Sequence, residues 1–230
     1  MNLPKRLLLL DTETTGLDPA ADELCEVGAV LFSVPHRAVL QQLSFLLPVS
    51  ANDAVSVNGI DPQLTQVSQP QQQAQGLFLA MLAAADAVVC HNAAFDRSWL
   101  EPWLQRLGME PPSQWICTCE GISWEGLRPN PSLMTLALAH GIPVWAAHRA
   151  LTDCIYLAQV LKRDPLLEQH LAEGLQPRQR VAADLPYSRR EEARAAGFRW
   201  VAEAKQWQRR CSAEQIAALP FPVIALEPYP

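Results

Sequence analysis

The stretch DTETTG, residues 11–16, places Asp11 and Glu13 one residue apart at the end of the apolar run 7–10. In an extended strand residues i and i+2 face the same way, so both acids project from one face. Like charges held that close repel, and each carboxylate is costly to desolvate. A divalent cation between them relieves both costs. Hard oxygen donors without a thiol or imidazole partner point to Mg²⁺ or Mn²⁺ rather than zinc. Taken alone, the triplet reads more readily as a solvated turn in which both acids are merely polar.

Two later stretches carry compatible chemistry. HNAAFD (91–96) puts Asp96 in the first turns of a helix that follows a short apolar strand. HRALTD (148–153) offers His148 and Asp153. Five residues apart on a helix, they would lie about 140° apart around the axis and could not share a face. His148 is therefore expected in or before the first turn, with Asp153 inside the helix and aimed at the sheet. The loop before it, IPVWAA (142–147), has no capping residue, which leaves His148 free to move.

The elements that must position these groups follow from patterning. Residues 7–10, 24–33, 40–49, 87–90 and 115–118 read as strands, the first three as a meander. Residues 54–63 read as a loop with an Asn-Gly turn. Helices are expected over 70–85, 91–108, near 132–140 and over 148–163. Strands first in a meander, then alternating with helices, indicate an α/β fold with a mixed sheet covered by helices. A polar, proline-bounded stretch near 174–186 marks a boundary. The expected organisation is a domain over 1–174, a linker over 175–184 and a small basic α+β module over 185–230.

DTETTG, HNAAFD and HRALTD stand in the order and context of the three motifs of the DEDDh (DnaQ-like) exonuclease family, and the chain resembles that family over about residues 5–165. HNAAFDRSWL, QWICT and AHRALTDC are most similar to its exodeoxyribonuclease X branch. The tyrosine branch of the family would need a tyrosine where Arg149 stands. The resemblance implies an RNase H-like (DnaQ-type) five-stranded mixed sheet and two-metal 3′→5′ phosphodiester hydrolysis that releases nucleoside 5′-monophosphates. Asp11, Glu13, Asp96 and Asp153 would hold two Mg²⁺ ions, with Mn²⁺ as a substitute. His148 would be the general base, since imidazole is the side chain that generally exchanges a proton near neutral pH. The terminal nucleotide would meet Thr14, Thr15, Gly16, Leu17, Asn58, His91, Asn92 and Phe95. Relatives often carry histidine at the position of Asn58. The resemblance implies DNA 3′ ends as the partner. An exoribonuclease and an inactive nucleic-acid-binding protein are the alternatives.

Composition bounds these readings. The chain has 230 residues, 49% of them hydrophobic, and a net charge of −6. That balance argues against a protein that grips nucleic acid over its whole surface. An enzyme that binds only an end needs few phosphate contacts. The charge is uneven, with 15 Asp/Glu against 7 Lys/Arg over residues 1–160, but 9 Lys/Arg against 4 Asp/Glu over 175–213. In that basic stretch, Trp200 and Trp207 are expected to form the core of a mini-domain. Arg199, Lys205, Arg209 and Arg210 would be either solvated or bound to phosphates. The six cysteines show no disulfide or zinc spacing, which fits buried thiols in a reducing cytoplasm. The four-leucine run stops at Asp11, far short of a signal or membrane segment, so no membrane partner is expected.

Overall fold

The order of elements is set by a leucine-rich strand buried on both faces. The computed structural model describes residues 3–226; residues 1–2 and 227–230, which the expected domains 1–174 and 185–230 include, lie outside the described residues. The N-terminal part contains β1 (Arg6–Thr14), β2 (Leu24–Ser33), β3 (Ala38–Leu46), α1 (Val55–Asn58), α2 (Pro62–Thr65), α3 (Gln71–Ala84), β4 (Ala87–Cys90), α4 (Ala93–Arg106), β5 (Trp115–Cys117), α5 (Leu133–Ala139), α6 (Ala150–Arg163) and α7 (Leu167–Gly174). Its five-stranded sheet has the order β3-β2-β1-β4-β5. The β1–β2 and β2–β3 pairs are antiparallel, and β1–β4 and β4–β5 are parallel. This is the mixed sheet the strand pattern predicts.

Alternation along β1 sorts the helices to the two faces. Leu7 and Leu9 pack with Tyr156, Leu157, Val160 and Leu161 of α6. Leu8 and Leu10 pack with Phe78 and Met81 of α3 and with Trp99, Leu100, Trp103 and Leu104 of α4. Asp11 and Glu13 continue the first series toward α6, and Thr12 continues the second toward α4. The strand runs to Thr14, four residues past the apolar run, because β2 stays paired with it, Asp11 opposite Gly28 and Glu13 opposite Glu26. The stretch 54–63, expected as a loop, instead winds into α1 and α2, the second capped by the Asp61 side chain on the Gln63 amide.

Close approach of α6 to the sheet depends on Gly28. A Cβ there would run into the backbone of Ala150 and Leu151 at the start of α6. Overpacking of this kind typically costs about 1–3 kcal/mol. Gly28→Ala should lower Tm by about 3–10 °C and displace Asp153. Gly76→Ala, where nothing lies within 4 Å, should leave Tm within about 2 °C in the same melts.

A second sheet follows: β6 (Gln179–Ala183), a 3₁₀ turn (Tyr187–Arg189), α8 (Arg190–Ala195), β7 (Arg199–Val201), β8 (Gln206–Cys211), α9 (Ala213–Ala217) and β9 (Val223–Ala225), with strand order β7-β8-β6-β9. The expected linker 175–184 therefore needs correcting. Its residues 179–183 form an inner strand of this sheet, paired with both β8 and β9. The tryptophan expectation holds only in part, since Trp207 packs half-buried against this module's core. Val181, Ala193, Phe198, Cys211 and Phe221 form the buried core. Trp200 is 48% exposed. It faces Trp207 across the strand pair, ring centroids 5.8 Å apart. All six cysteines are free thiols. Among the described residues, no helix is long and apolar enough to cross a membrane.

Candidate active site

A cavity of about 780 Å³ opens where β1 ends and α4 and α6 begin, and Asp11, Glu13, Asp96, His148 and Asp153 all line it. Oxygens of Asp11, Glu13 and Asp153 lie within 4.8 Å of one another. Asp96 reaches the cavity from the opposite face of the sheet and stands outside that group of three. Its Oδ1 accepts a hydrogen bond from the Thr12 hydroxyl (2.9 Å). Thr12, pointing away from Asp11 and Glu13, thus fixes the carboxylate that comes from α4. Asp96 and Asp153 each occupy the first turn of a 14-residue helix, where the dipole favours an acid.

Burial shifts every one of these acids, and neighbouring negative charge adds to it at Asp11, Glu13 and Asp153. Burial, then the charges of Asp96, Glu13, Asp153 and Glu26, push Asp11 well above the ordinary carboxylate range. Burial and the neighbouring Glu26 and Asp153 raise Glu13 to about 8. Burial raises Asp96 to about 7, although the bond from Thr12 pulls the other way. Asp153 is also raised by burial, against an opposing bond from the His148 amide. Asp153 Oδ1 is buried with no hydrogen-bond partner among the described residues. An orphaned buried carboxylate oxygen beside two more hard oxygen donors suits a divalent cation of the Mg²⁺ type.

His148 sits immediately before α6, as its spacing from Asp153 requires. Its backbone takes a left-handed conformation (φ 60°), and its amide donates to Asp153 Oδ2 at 3.3 Å. The side chain is exposed at the cavity lip. The preceding loop is held more firmly than its sequence suggests. The Tyr156 hydroxyl accepts from the amides of Trp145 (3.1 Å) and Ala146 (3.2 Å), and the two rings pack edge to face.

Sequence reasoning missed Glu26 and Arg149. Glu26 is buried opposite Glu13, a like-charge pair that would oppose folding without compensation. Arg149 supplies it with two bonds to the Glu26 carboxylate, 3.0 and 2.9 Å. The Ala150 amide at the start of α6 and the Ser44 hydroxyl also donate to it. This network ties the start of α6, and so Asp153, to β2. The signal was a lone acid in the otherwise apolar run LCEVGAVLFS. Arg149→Ala should cost about 1–3 kcal/mol by stranding a buried carboxylate, seen as a drop of about 3–8 °C in Tm. In a Glu26→Gln background the same change should cost less than half as much.

Seven of the eight expected nucleotide contacts line the cavity, in two groups. Leu17, Asn92 and Phe95 line the cavity, and Leu17 is 85% exposed, so core packing does not explain it. His91, Asn58, Thr14 and Gly16 also line it, but internal bonds give them other tasks. His91 Nε2 contacts the Pro131 carbonyl (2.9 Å), and Nδ1 contacts the Thr118 hydroxyl (2.9 Å). Donation to a carbonyl assigns the proton to Nε2, and burial lowers the ring's affinity for a second one. Asn58 donates to the Thr14 carbonyl (3.0 Å) and accepts from Asn52 and Ile60, so it ties α1 to the end of β1. The Thr14 hydroxyl donates to the Gly16 carbonyl (2.6 Å). Thr15, absent from the cavity wall, accepts from the Glu23 amide (2.9 Å). A side chain at Gly16 would collide with the Asp22 carboxylate, so the glycine makes room within the turn.

Comparison with known proteins agrees with this geometry. A family model described as Exonuclease matches residues 8–161, and a second, described as a domain of unknown function, matches 179–226. The DNA polymerase III subunit epsilon of Treponema pallidum is 31% identical over 150 residues, which is 62% of this chain and 68% of that one. The PolC-type DNA polymerase III of Thermotoga petrophila is 28% identical over 176 residues, 68% of this chain. The match spans only 12% of that polymerase's length. Exonuclease X in complex with 5′ overhanging duplex DNA superposes with a TM-score of 0.53 at 23% identity, over 73% of this chain and 98% of that one. The nuclease domain of 3′hExo, a DEDDh family member bound to rAMP, gives 0.57 at 16% identity, over 72% and 93%. The chain belongs to the exonuclease family of the DnaQ-like, DEDDh type.

Proposed function

We propose that this chain hydrolyses phosphodiester bonds from the 3′ ends of DNA, releasing nucleoside 5′-monophosphates. The observation that carries the reading is the gathering of Asp11, Glu13 and Asp153 within 4.8 Å, with Asp153 Oδ1 buried and unpartnered. Asp11, Glu13 and Asp153, with Asp96 across the sheet end, would hold two divalent cations, Mg²⁺ first and Mn²⁺ as a substitute. When bound, such cations supply Lewis acidity toward the attacking water and the leaving 3′-oxygen. Thr12 holds the Asp96 carboxylate in place, and Glu26 with Arg149 holds the start of α6, so neither acid must reorganise when substrate enters. His148, exposed at the lip, takes the proton from the attacking water. Leu17 and Phe95 give the terminal base an apolar surface, while Asn58 and Thr14 keep the turn beneath it in shape.

The DNA assignment draws on the likeness to Exonuclease X and to DNA polymerase III subunits. RNA is the second reading, because the 3′hExo domain is bound to rAMP. Single-stranded DNA and RNA of one sequence, 5′-labelled and incubated with Mg²⁺, separate the two. DNA should shorten faster; RNA degraded more than tenfold faster than DNA would overturn the substrate assignment.

A further inference from the structure

The C-terminal module enters the wall of the catalytic cavity through one residue. Arg199, on the edge strand β7, lines the cavity with Cys119, Asn130, Pro131 and Ser132. It is exposed, and among the described residues its guanidinium has no hydrogen-bond or ion-pair partner. Three other arginines of this region are bound elsewhere. Arg178 donates to Glu120, Gly121 and Gln215 and joins the two halves. Arg209 donates to the Ala196 carbonyl (2.7 Å), and Arg210 to the Arg178 carbonyl (3.4 Å). Arg149, next in the chain to the cavity-lining His148, is bound to Glu26.

The chain leading to Arg199 is clamped to the cavity wall. Asn130 Nδ2 donates to the Gly197 carbonyl (2.8 Å). Gly197, at φ 81°, lies so close to Pro129 that a Cβ would sit 2.7 Å from its ring. The next residue of that wall, Pro131, is fixed from behind by His91. The backbone that carries Arg199 is thus held by a close-packed junction. Such a cation beside an acidic site has little to gain from the carboxylates once they bind cations. A strand entering the cavity brings further phosphates, which an arginine fork suits.

We propose that the C-terminal module is part of the substrate cleft, with Arg199 binding a backbone phosphate of the entering strand other than the one cleaved. The inference rests on the exonuclease reading above. Its first test is binding without catalysis: fluorescence anisotropy of a labelled ten-nucleotide DNA strand in EDTA. Arg199→Ala should raise Kd about five- to tenfold, and the slope of log Kd against log salt should fall by about 0.7, one phosphate contact on a single strand. Arg199→Lys should recover part of the loss. Arg194→Ala, an equal loss of charge on exposed α8, should stay within twofold of wild type. Under Mg²⁺, the ratio of kcat/KM for the ten-nucleotide strand to that for the dinucleoside TpT, which has a single phosphate, should fall to a similar extent, with the loss in KM. An Arg199→Ala Kd within twofold of wild type, or an equal loss in Arg194→Ala, would overturn the proposal. Wild type that binds the strand but cleaves neither substrate would instead overturn the exonuclease reading, and the anisotropy result would still decide the role of Arg199.

Discussion

Asp11→Asn is expected to reduce hydrolysis about 10³-fold or more while making the metal-free protein more stable at pH 8. The first half follows from the position of Asp11, one of three carboxylates within 4.8 Å. Losing a ligand that serves metal-assisted charge stabilisation removes several kcal/mol from the barrier reduction. The second half follows from the sign of the shifts. Asp11 titrates well above its ordinary value because it is buried among acids. The folded state therefore holds the proton more tightly than the unfolded chain. Stability is fully present below the unfolded value and falls as pH rises through the folded one. For Glu13 that decline runs from near 4.5 to about 8, and for Asp96 from near 3.8 to about 7. The metal-free wild type should thus lose stability across this range. Asparagine at position 11 has no proton to lose, so it escapes that decline and cannot place a charge beside its neighbours. Tm in EDTA at pH 8 should rise by about 3 °C or more. Saturating Mg²⁺ should raise the wild-type Tm by about 5–10 °C at pH 8 and by much less at pH 5, where protons compete. The variant should keep less than half of that increment. An active Asp11→Asn protein, or one whose metal-free Tm falls at pH 8, would contradict the placement of this residue.

His148→Ala is expected to cost about 10²–10⁴ in rate, the usual range for a general base, and to leave the Mg²⁺-dependent rise in Tm intact. The two readouts divide because the hydrogen bond to Asp153 comes from the histidine's amide. Alanine keeps that amide. It also keeps a Cβ at a left-handed backbone position, so the backbone cost already present in the native chain changes little. Full activity in His148→Ala would remove the ring from the reaction. Loss of the Mg²⁺ increment would make its role structural.

Much of the site was legible because local geometry decides it. The i, i+2 spacing of Asp11 and Glu13 puts both on one side of any strand, and the distance from His148 to Asp153 excludes a shared helix face. What escaped depends on register and on distant partners. Glu26 matters because it lies opposite Glu13 and beneath Arg149, a fact no local pattern contains. Asn58 lies in the segment expected to meet the nucleotide, yet the end of β1 claims its side chain. The β6 sequence QRVAA carries little alternation. It becomes a strand because β8 and β9, more than twenty residues downstream, pair with its two edges. Trp207 packs against the small core of the second module and meets Trp200, but its fully buried aromatic positions go to Phe198 and Phe221.

Single-stranded DNA labelled at its 3′ end, incubated with Mg²⁺ or with EDTA, tests the proposed activity most directly. With Mg²⁺ the label should leave at once as a mononucleotide, while 5′-labelled strand should pass through a ladder of shortening products. EDTA and Asp11→Asn should each abolish both. Label leaving first from the 5′ end, equal hydrolysis in EDTA, or no mononucleotide with either Mg²⁺ or Mn²⁺ would contradict it.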